Sequence, residues 1–596
     1  MFRAGLIISV FLIITGYSFF SATKPADIPE QIIKQRLLLQ IDSLFADIHN
    51  LQSAINGKAT QTELQQVFLH TRLSYKKIEW AAEYFTPNIS RFVNGPPVPE
   101  VELSGQVFDP RGLQVIEGEL YPKYNLKYRK QLIAQTKQLA DDVADIKTYF
   151  KKIDLYNWQV FDAIKLEMFR IITLGIAGFD DPLSENSMGE SATSVINLKD
   201  VMANYTQNKN DYGLNSALTA AANYLQKNTA FNNFNPALFI TRYGNPVTIS
   251  LTKLQQHSNL PVVKYNRLLN QSASTLFDKD AFNVNAYAPS PEYFVTDKRI
   301  ALGKKLFADP VLSGTASRSC ASCHKPNMAF TDGLVKNIDI TGKGTIARNT
   351  PTLLNAALQP ALFYDLRAAS LEDQALAVVQ SKTEMHGDMK ISATKLWQDK
   401  QYRELFTAAY PNKSRTAIDT LEVMNALGSY IRSLITLNSR FDQYMQGNEK
   451  AMNRTELNGF NLFMGKARCG TCHYMPLFNG TFPPKFNRIE AEVIGVPKSK
   501  TDKSIDPDMG LYAIQPLPHY KYAFKTTTVR NAAQTAPYMH NGVFTTLEEV
   551  IDFYNKGGGA GEGIRVNNQT LTATPLHLTE KEKKELIAFI KALDSK

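Results

Sequence analysis

Residues 318–333 read RSCASCHKPNMAFTDG, and residues 467–476 read ARCGTCHYMP. Each holds Cys-x-x-Cys-His: Cys320, Cys323 and His324 in the first, Cys469, Cys472 and His473 in the second. Two thiols one helical turn apart add to the two vinyl groups of one porphyrin, and the adjacent imidazole then coordinates the iron. The two motifs use all 4 cysteines of the chain. A redox Cys-x-x-Cys would sit in a βαβ context, which is missing. A four-cysteine zinc site would leave both histidines without a role. Disulfides between residues this close would close very small loops for little gain. The reading is two covalently bound haem c groups. An iron that only carries electrons takes a second strong ligand, whereas one that does chemistry keeps a position open.

Around these motifs the chain is ordinary globular material. It has 596 residues, 44% of them hydrophobic and 20% charged, with 32 Gly and 28 Pro. Those values exclude a largely disordered chain, a collagen and a polytopic membrane protein. The net charge of +10 is spread over the whole length, with no Lys/Arg run. No nucleic-acid partner is therefore expected. Arg3 precedes an uncharged run from Ala4 to Phe20, followed by Ser21-Ala22-Thr23. A basic start, an apolar core and small residues make a secretory signal over residues 1–22, either cleaved or retained as a membrane anchor. Haem c attachment takes place outside the cytoplasm, so the expected location is the periplasm or cell envelope.

The fold is expected to be mainly α: an N-terminal helical bundle followed by two cytochrome c-like haem domains. The expected boundaries are 23–280, 281–440 and 441–596. Ile32, Leu37, Leu39, Ile41, Leu44, Ile48 and Leu51 recur at roughly helical spacing, as do Leu132, Leu139, Val143 and Ile146. Breaks are expected at Asn94–Glu102 and over the polar stretch Asp180–Ser191. Ala426–Tyr444 reads as one amphipathic helix, and Thr579 with Glu582 as the capping box of a final helix. No strand pattern of any length is present.

Two resemblances attach to these stretches. LSYKKIEWAAEYF, VNGPP and GLQVIEGEL resemble the helical bundle of the imelysin family. That family carries a metal-associated Gly-x-His-x-x-Glu motif. Here Gln114 stands in the His position, between Gly112 and Glu117, and an amide is a poor transition-metal ligand. The expectation is an accessory helical domain without metal.

From about Glu292 onward the chain resembles the bacterial di-haem cytochrome c peroxidases and the methylamine-utilisation di-haem enzyme. The matching stretches are LGKKLFADPVLSG (302–314), RSCASCHKPNMAFTDG, ARNTPTLLNAALQPALFYDLRAASLEDQA (347–375) and FKTTTVRNAAQTAPYMHNGVFTTLEEVIDFY (524–554). The resemblance implies that the His324 haem reacts with hydrogen peroxide. It implies that the His473 haem relays electrons from an external donor such as a small cytochrome or a cupredoxin. Gln374 and Glu384 match the polar pair over the reactive haem, where a carboxylate can move a proton and an amide can orient peroxide. Asn349, Thr535 and Pro537 match the family's ligands for one Ca2+, a hard-oxygen set. A homodimer is among its implications.

The chain departs from the family pattern in three places. No His lies between Lys325 and Pro351, where the family places a closing ligand, so the reactive iron is expected to be open. Tyr554 stands where the relay haem usually has Met, as in the quinone-maturing relative, and a phenolate would favour ferric iron. Tyr364 replaces the family's Trp between the haems. The leading expectation is an exported di-haem peroxidase. Its alternatives are an oxidase of a protein side chain or organic substrate, and a non-catalytic electron-transfer cytochrome.

Overall fold

The computed structural model describes residues 28–101, 105–206, 210–262, 266–411 and 416–595. The apolar run at 4–20 and the signal assigned to 1–22 lie outside the described residues. Among the described residues no helix is long and apolar enough to cross a membrane.

The architecture is mainly α. The first helix, Pro29–Asn56, starts with Pro at its first position, where the missing N–H costs nothing. It buries Ile33, Leu37, Ile41, Leu44, Ile48, Leu51 and Ile55, steps of three and four that form one stripe. Ile32 and Leu39, expected on that stripe, fall off it and are 39% and 67% exposed. The next helix, Gln61–Phe85, is opened by a Thr60–Glu63 capping box. It packs on the first, and Arg129–Lys152, Asn157–Thr173 and Ser187–Thr206 complete the bundle.

Two expected elements end elsewhere. The stretch 180–191, read as a loop, becomes helix at Ser187. Burial does this: Arg72 reaches the Glu190 carboxylate at 2.5 and 2.9 Å and draws that turn inward. Ala426–Tyr444 is two helices, Thr420–Arg432 and Arg440–Met445. Asn355 takes the intervening backbone for itself. Its N–H donates to the Leu434 carbonyl at 2.9 Å, and its side-chain oxygen accepts from Thr436 N–H at 2.8 Å. Ser439 and Asp442 then start the second helix with their own capping box.

Each haem-motif segment is built on a crossed helix pair. In the first, Asp297–Ala308 crosses Thr420–Arg432; in the second, Arg454–Met464 crosses Glu580–Ala592, which opens with the expected Thr579–Glu582 box. Glycine permits both crossings. A Cβ on Gly303 would overlap the Ala426 carbonyl, and one on Gly459 the Glu585 carbonyl. The strands are two residues long: Glu100–Val101 pairs with Val107–Phe108, and Ala491–Glu492 with Phe524–Lys525.

The apolar core forms two large clusters. One runs from Ile33 to Leu593 and joins the N-terminal helices to the second haem segment. The other, Leu302 to Ile431, belongs to the first haem segment alone. Gly459→Ala is expected to force the 454–464 and 580–592 helices apart. Overpacking of this kind costs about 1–3 kcal/mol, so thermal unfolding followed at the second haem's absorption should shift down.

Candidate functional site

Ser319 caps a single helical turn, Cys320–Cys323, through a reciprocal box with Ser322. Residues three apart on that turn share a face, which is what a porphyrin edge requires. His324 follows. Its Nδ1 lies 3.0 Å from the Phe330 carbonyl oxygen. The chain doubles back to reach it, with Ala329 and Phe330 at φ 50° and 60° and Lys325 N–H donating to Thr331 at 3.1 Å. With Nδ1–H donated to a carbonyl, Nε2 carries the lone pair that a metal takes. Burial holds the His324 pKa below its ordinary value, so the ring stays neutral.

Glu384 sits in the turn after the helix Leu371–Gln380. That turn is clamped to the loop before the first motif. Gly314 N–H donates to Met385 O at 3.0 Å, and Gly387 N–H to Val379 O at 2.7 Å. A Cβ on either glycine would overlap facing backbone. Burial raises the Glu384 pKa, opposed by Arg367, Ser381 and Arg318. Burial raises the Cys323 thiol, and the Glu384 charge adds to it from close by. Gln374 is half-buried on the preceding helix. His386 is exposed to solvent.

At the second motif, His473 Nδ1 lies 3.0 Å from the Thr527 carbonyl oxygen, and burial pushes its pKa down to about 4. Tyr554 stands on the helix Leu547–Asn555, capped by Thr546 with Glu549. Burial raises its phenol pKa, followed by the charges of Cys472, Cys469 and Glu492. The fold thus brings Tyr554 to the second motif. Met539 and Tyr554 each pack against the small apolar cluster of Val496, Val543, Phe544 and Phe553. His540 is already engaged: its ring stacks on Phe524 at 3.7 Å and its Nε2 lies 3.2 Å from Asp506.

The Tyr364 carbonyl accepts from Lys525 N–H at 2.8 Å. Burial raises the Tyr364 phenol. Asn349 N–H donates to the His540 carbonyl at 2.8 Å, which draws Asn349 against the segment holding Thr535 and Pro537. Its side-chain nitrogen donates to Leu334 O at 2.9 Å.

Two residues escaped the sequence reading. Arg348 bonds Asp365 at 2.6 Å and Asp508 at 2.7 and 2.9 Å, tying the two haem segments together. It stands in the quoted stretch beside Asn349, and only its distant partners reveal its role. Glu492 lies near Cys472 and Tyr554, and burial pushes its pKa up to about 7. No local pattern marks it.

In the N-terminal helices, Gln114 donates to the Asn94 carbonyl at 3.0 Å. Glu117 accepts from Ser184 N–H at 2.7 Å. Both belong to a buried network in which Lys76 and Arg170 each bond Asp180, at 2.6 and 2.6–2.7 Å.

The 4 cysteines are free of disulfides, each pair is one turn apart, and each following imidazole offers Nε2. This donor set fits haem c at both motifs, and the fold and site define a di-haem c-type oxidoreductase. Residues 297–450 match the family model for the di-haem cytochrome c peroxidases. The chain is 34% identical over 355 residues to the cytochrome-c peroxidase IdrP1 of Pseudomonas sp. (strain SCT), covering 55% of this chain and 91% of the relative. It is 33% identical over 299 residues to the methylamine utilization protein MauG of Methylorubrum extorquens, covering 50% and 79%. A crystal structure of a MauG-like protein associated with microbial copper homeostasis aligns at 29% identity and TM-score 0.45, over 52% of this chain and 94% of that one. The chain belongs to the di-haem cytochrome c peroxidase/MauG family, and it is an enzyme that carries two covalently bound haem c groups.

Glu492 makes a pH prediction. Below about pH 7 it is neutral, and above that pH its charge favours ferric over ferrous iron nearby. The second haem's potential should therefore fall as pH rises through neutrality, by at most ~59 mV per pH unit. Spectroelectrochemical titration should show this slope lost in Glu492→Gln.

Proposed function

We propose that the protein is an exported peroxidase that reduces hydrogen peroxide to water, two electrons and two protons per peroxide. The electrons come from an external donor, a small cytochrome or a cupredoxin, through the second haem. In this reading 281–440 is the peroxide-reacting unit, 441–596 the relay unit and 23–280 an accessory domain. Export to the periplasm or cell envelope is supported by the N-terminal run and by the compartment that haem c attachment requires.

The observation that carries the reading is Glu384: a half-buried carboxyl with a raised pKa, close to Cys323, on a turn tied to the loop before the first motif. The bound haem supplies iron that delivers electrons to the O–O bond. Glu384 takes the proton from one peroxide oxygen and returns it to the other, so water rather than hydroxide leaves. Burial raises its pKa above the ordinary carboxylate value, the direction that a proton-shuttling carboxyl needs. Gln374 orients the peroxide by its amide. Arg367, which also bonds Asp365 at 2.7 and 2.8 Å, keeps the carboxylate form accessible. Asn349, with the carbonyl oxygens of Thr535 and Pro537, would hold one Ca2+ between the units. Tyr364 would sit on the path between the haems.

Tyr554 favours a second reading within the family, oxidation of a protein side chain or organic substrate. A phenolate ligand lowers the potential of its iron, so that the second haem can itself lose an electron.

General acid–base assistance is worth about 10²–10⁴-fold. Glu384→Gln should therefore cut peroxide turnover by at least ~10²-fold with both haems still attached. Near-normal turnover in that variant would remove Glu384 from the role. Tyr554→Phe should change the second haem's spectrum and raise its potential. An unchanged spectrum and potential would exclude ligation and take away the support for the second reading.

A further inference from the structure

The N-terminal helices meet the second haem segment across a cavity of about 200 Å³. An apolar cavity of ~150 Å³ holds benzene, so this one admits a single six-membered ring with a few polar substituents. Its walls come from both sides of the junction. Trp80 and Tyr84 belong to the helix Gln61–Phe85, Phe179 to the turn after Asn157–Thr173, and Phe482 to the loop after the second motif. These rings ask for a flat, largely apolar body.

The polar atoms of the same walls are short of partners. Among the described residues Trp80 Nε1, Ser90 Oγ and Asn94 Oδ1 have no hydrogen-bond partner, and their residues are 2%, 0% and 3% exposed. A donor, an acceptor and a hydroxyl are together answered by hydroxyl groups, which donate and accept. The cations that line the cavity already have partners: Arg170 with Asp180 at 2.6 Å, Arg488 with Glu490 at 3.1 Å, Arg91 with Glu100, and Lys485 with the Tyr84 carbonyl at 3.0 Å. Burial, and then the Glu79 charge beside it, raise the Glu167 carboxyl above its ordinary value. A neutral ligand fits, and either ion would lose more hydration than the walls return.

The cavity also points towards the second motif. Phe482 and Phe179 line it, and both rings pack on Tyr474, at 5.2 and 5.9 Å between centroids. Tyr474 is buried and follows His473 directly. One ring contact thus separates the cavity wall from the neighbour of the iron-binding histidine.

We propose that this cavity binds a small neutral hydroxylated aromatic, a phenol or hydroquinone, as an electron donor whose electrons reach the second haem by way of Phe482 and Tyr474. The proposal rests on the peroxidase reading for its electron sink. For hydroquinone the reaction balances. Two O–H bonds of the ring break, and two electrons and two protons leave it. Peroxide accepts both pairs, its O–O bond breaks, and benzoquinone and two waters result. Glu83 lines the same wall as a carboxyl that can accept the hydroxyl proton; burial raises its pKa, opposed by Arg170 and Lys485.

Isothermal calorimetry of the holoenzyme with 1,4-hydroquinone should show one saturable site. Trp80→Phe and Asn94→Leu should each weaken binding by about tenfold, the worth of one lost hydrogen bond. Haem absorption and far-UV dichroism check that each variant is folded. Asn94→Ser replaces Asn94→Leu if the latter is not. Phe482→Leu should slow anaerobic reduction of the second haem by hydroquinone, followed by stopped flow without peroxide, at least several-fold. Absence of saturable binding, or affinity unchanged in the folded Trp80 and Asn94 variants, overturns the site. Reduction as fast in Phe482→Leu as in the parent overturns the route. If peroxide is not consumed with any donor, the peroxidase reading fails, while hydroquinone binding and anaerobic haem reduction still report on this cavity.

Discussion

Both motifs depend on one constraint: an imidazole whose Nδ1 proton is given to a backbone carbonyl, so that Nε2 is left for the iron. The two haem segments meet it differently. At His324 the carbonyl belongs to Phe330, six residues on, and two left-handed residues fold the loop back to supply it. At His473 the carbonyl belongs to Thr527, 54 residues away. The first arrangement is local. The second exists only once the segment 524–530 has been placed. Arg530 does much of that placing, with a buried bidentate pair to Asp442 at 2.7 and 2.9 Å and a bond to the Pro476 carbonyl at 2.8 Å.

The N-terminal helices are part of the same arrangement. Lys76, Glu79, Arg170 and Asp180 form a network almost wholly out of water, with Arg72 and Glu190 beside it. Taking such charges from water costs several kcal/mol per ion before their mutual attraction is counted. What the network achieves is placement: it fixes the turn that carries Ala177 and Phe179. Ala177 reaches Gly470 inside the second motif, and Phe179 reaches Tyr474. Arg468, next to Cys469, bonds Glu185 at 2.7 Å. The second haem segment therefore shares its core with the helices before it, while the first keeps its own.

Between the haem segments polar contacts join distant stretches of chain. Arg348 spans Asp365 and Asp508. Lys525 holds the Tyr364 carbonyl, and its strand pairs with the one carrying Glu492. A two-residue ladder thus links the Tyr364 backbone to the strand that carries Glu492.

The sequence alone determined the parts of this protein whose chemistry is local. A Cys-x-x-Cys-His turn needs only consecutive residues, so both haem sites were legible. The capping boxes at Thr546 and Thr579 were legible for the same reason, being four-residue patterns. So was the family, through runs that keep order and spacing. Tertiary structure decided what depends on distant partners. It moved the start of the helix at Ser187, because Arg72 lies over a hundred residues away and its pull leaves no mark in 180–191. It broke 426–444 in two, because Asn355 competes for that backbone. It exposed Leu39, because a spacing fitted to both faces of a helix cannot say which face meets the core. It singled out Glu492 and Arg348, whose residue types are common and whose meaning lies in their neighbours. A desolvated carboxyl or an ion pair across segments is a property of three-dimensional proximity, and proximity between distant residues is what the order of residues along a chain does not contain.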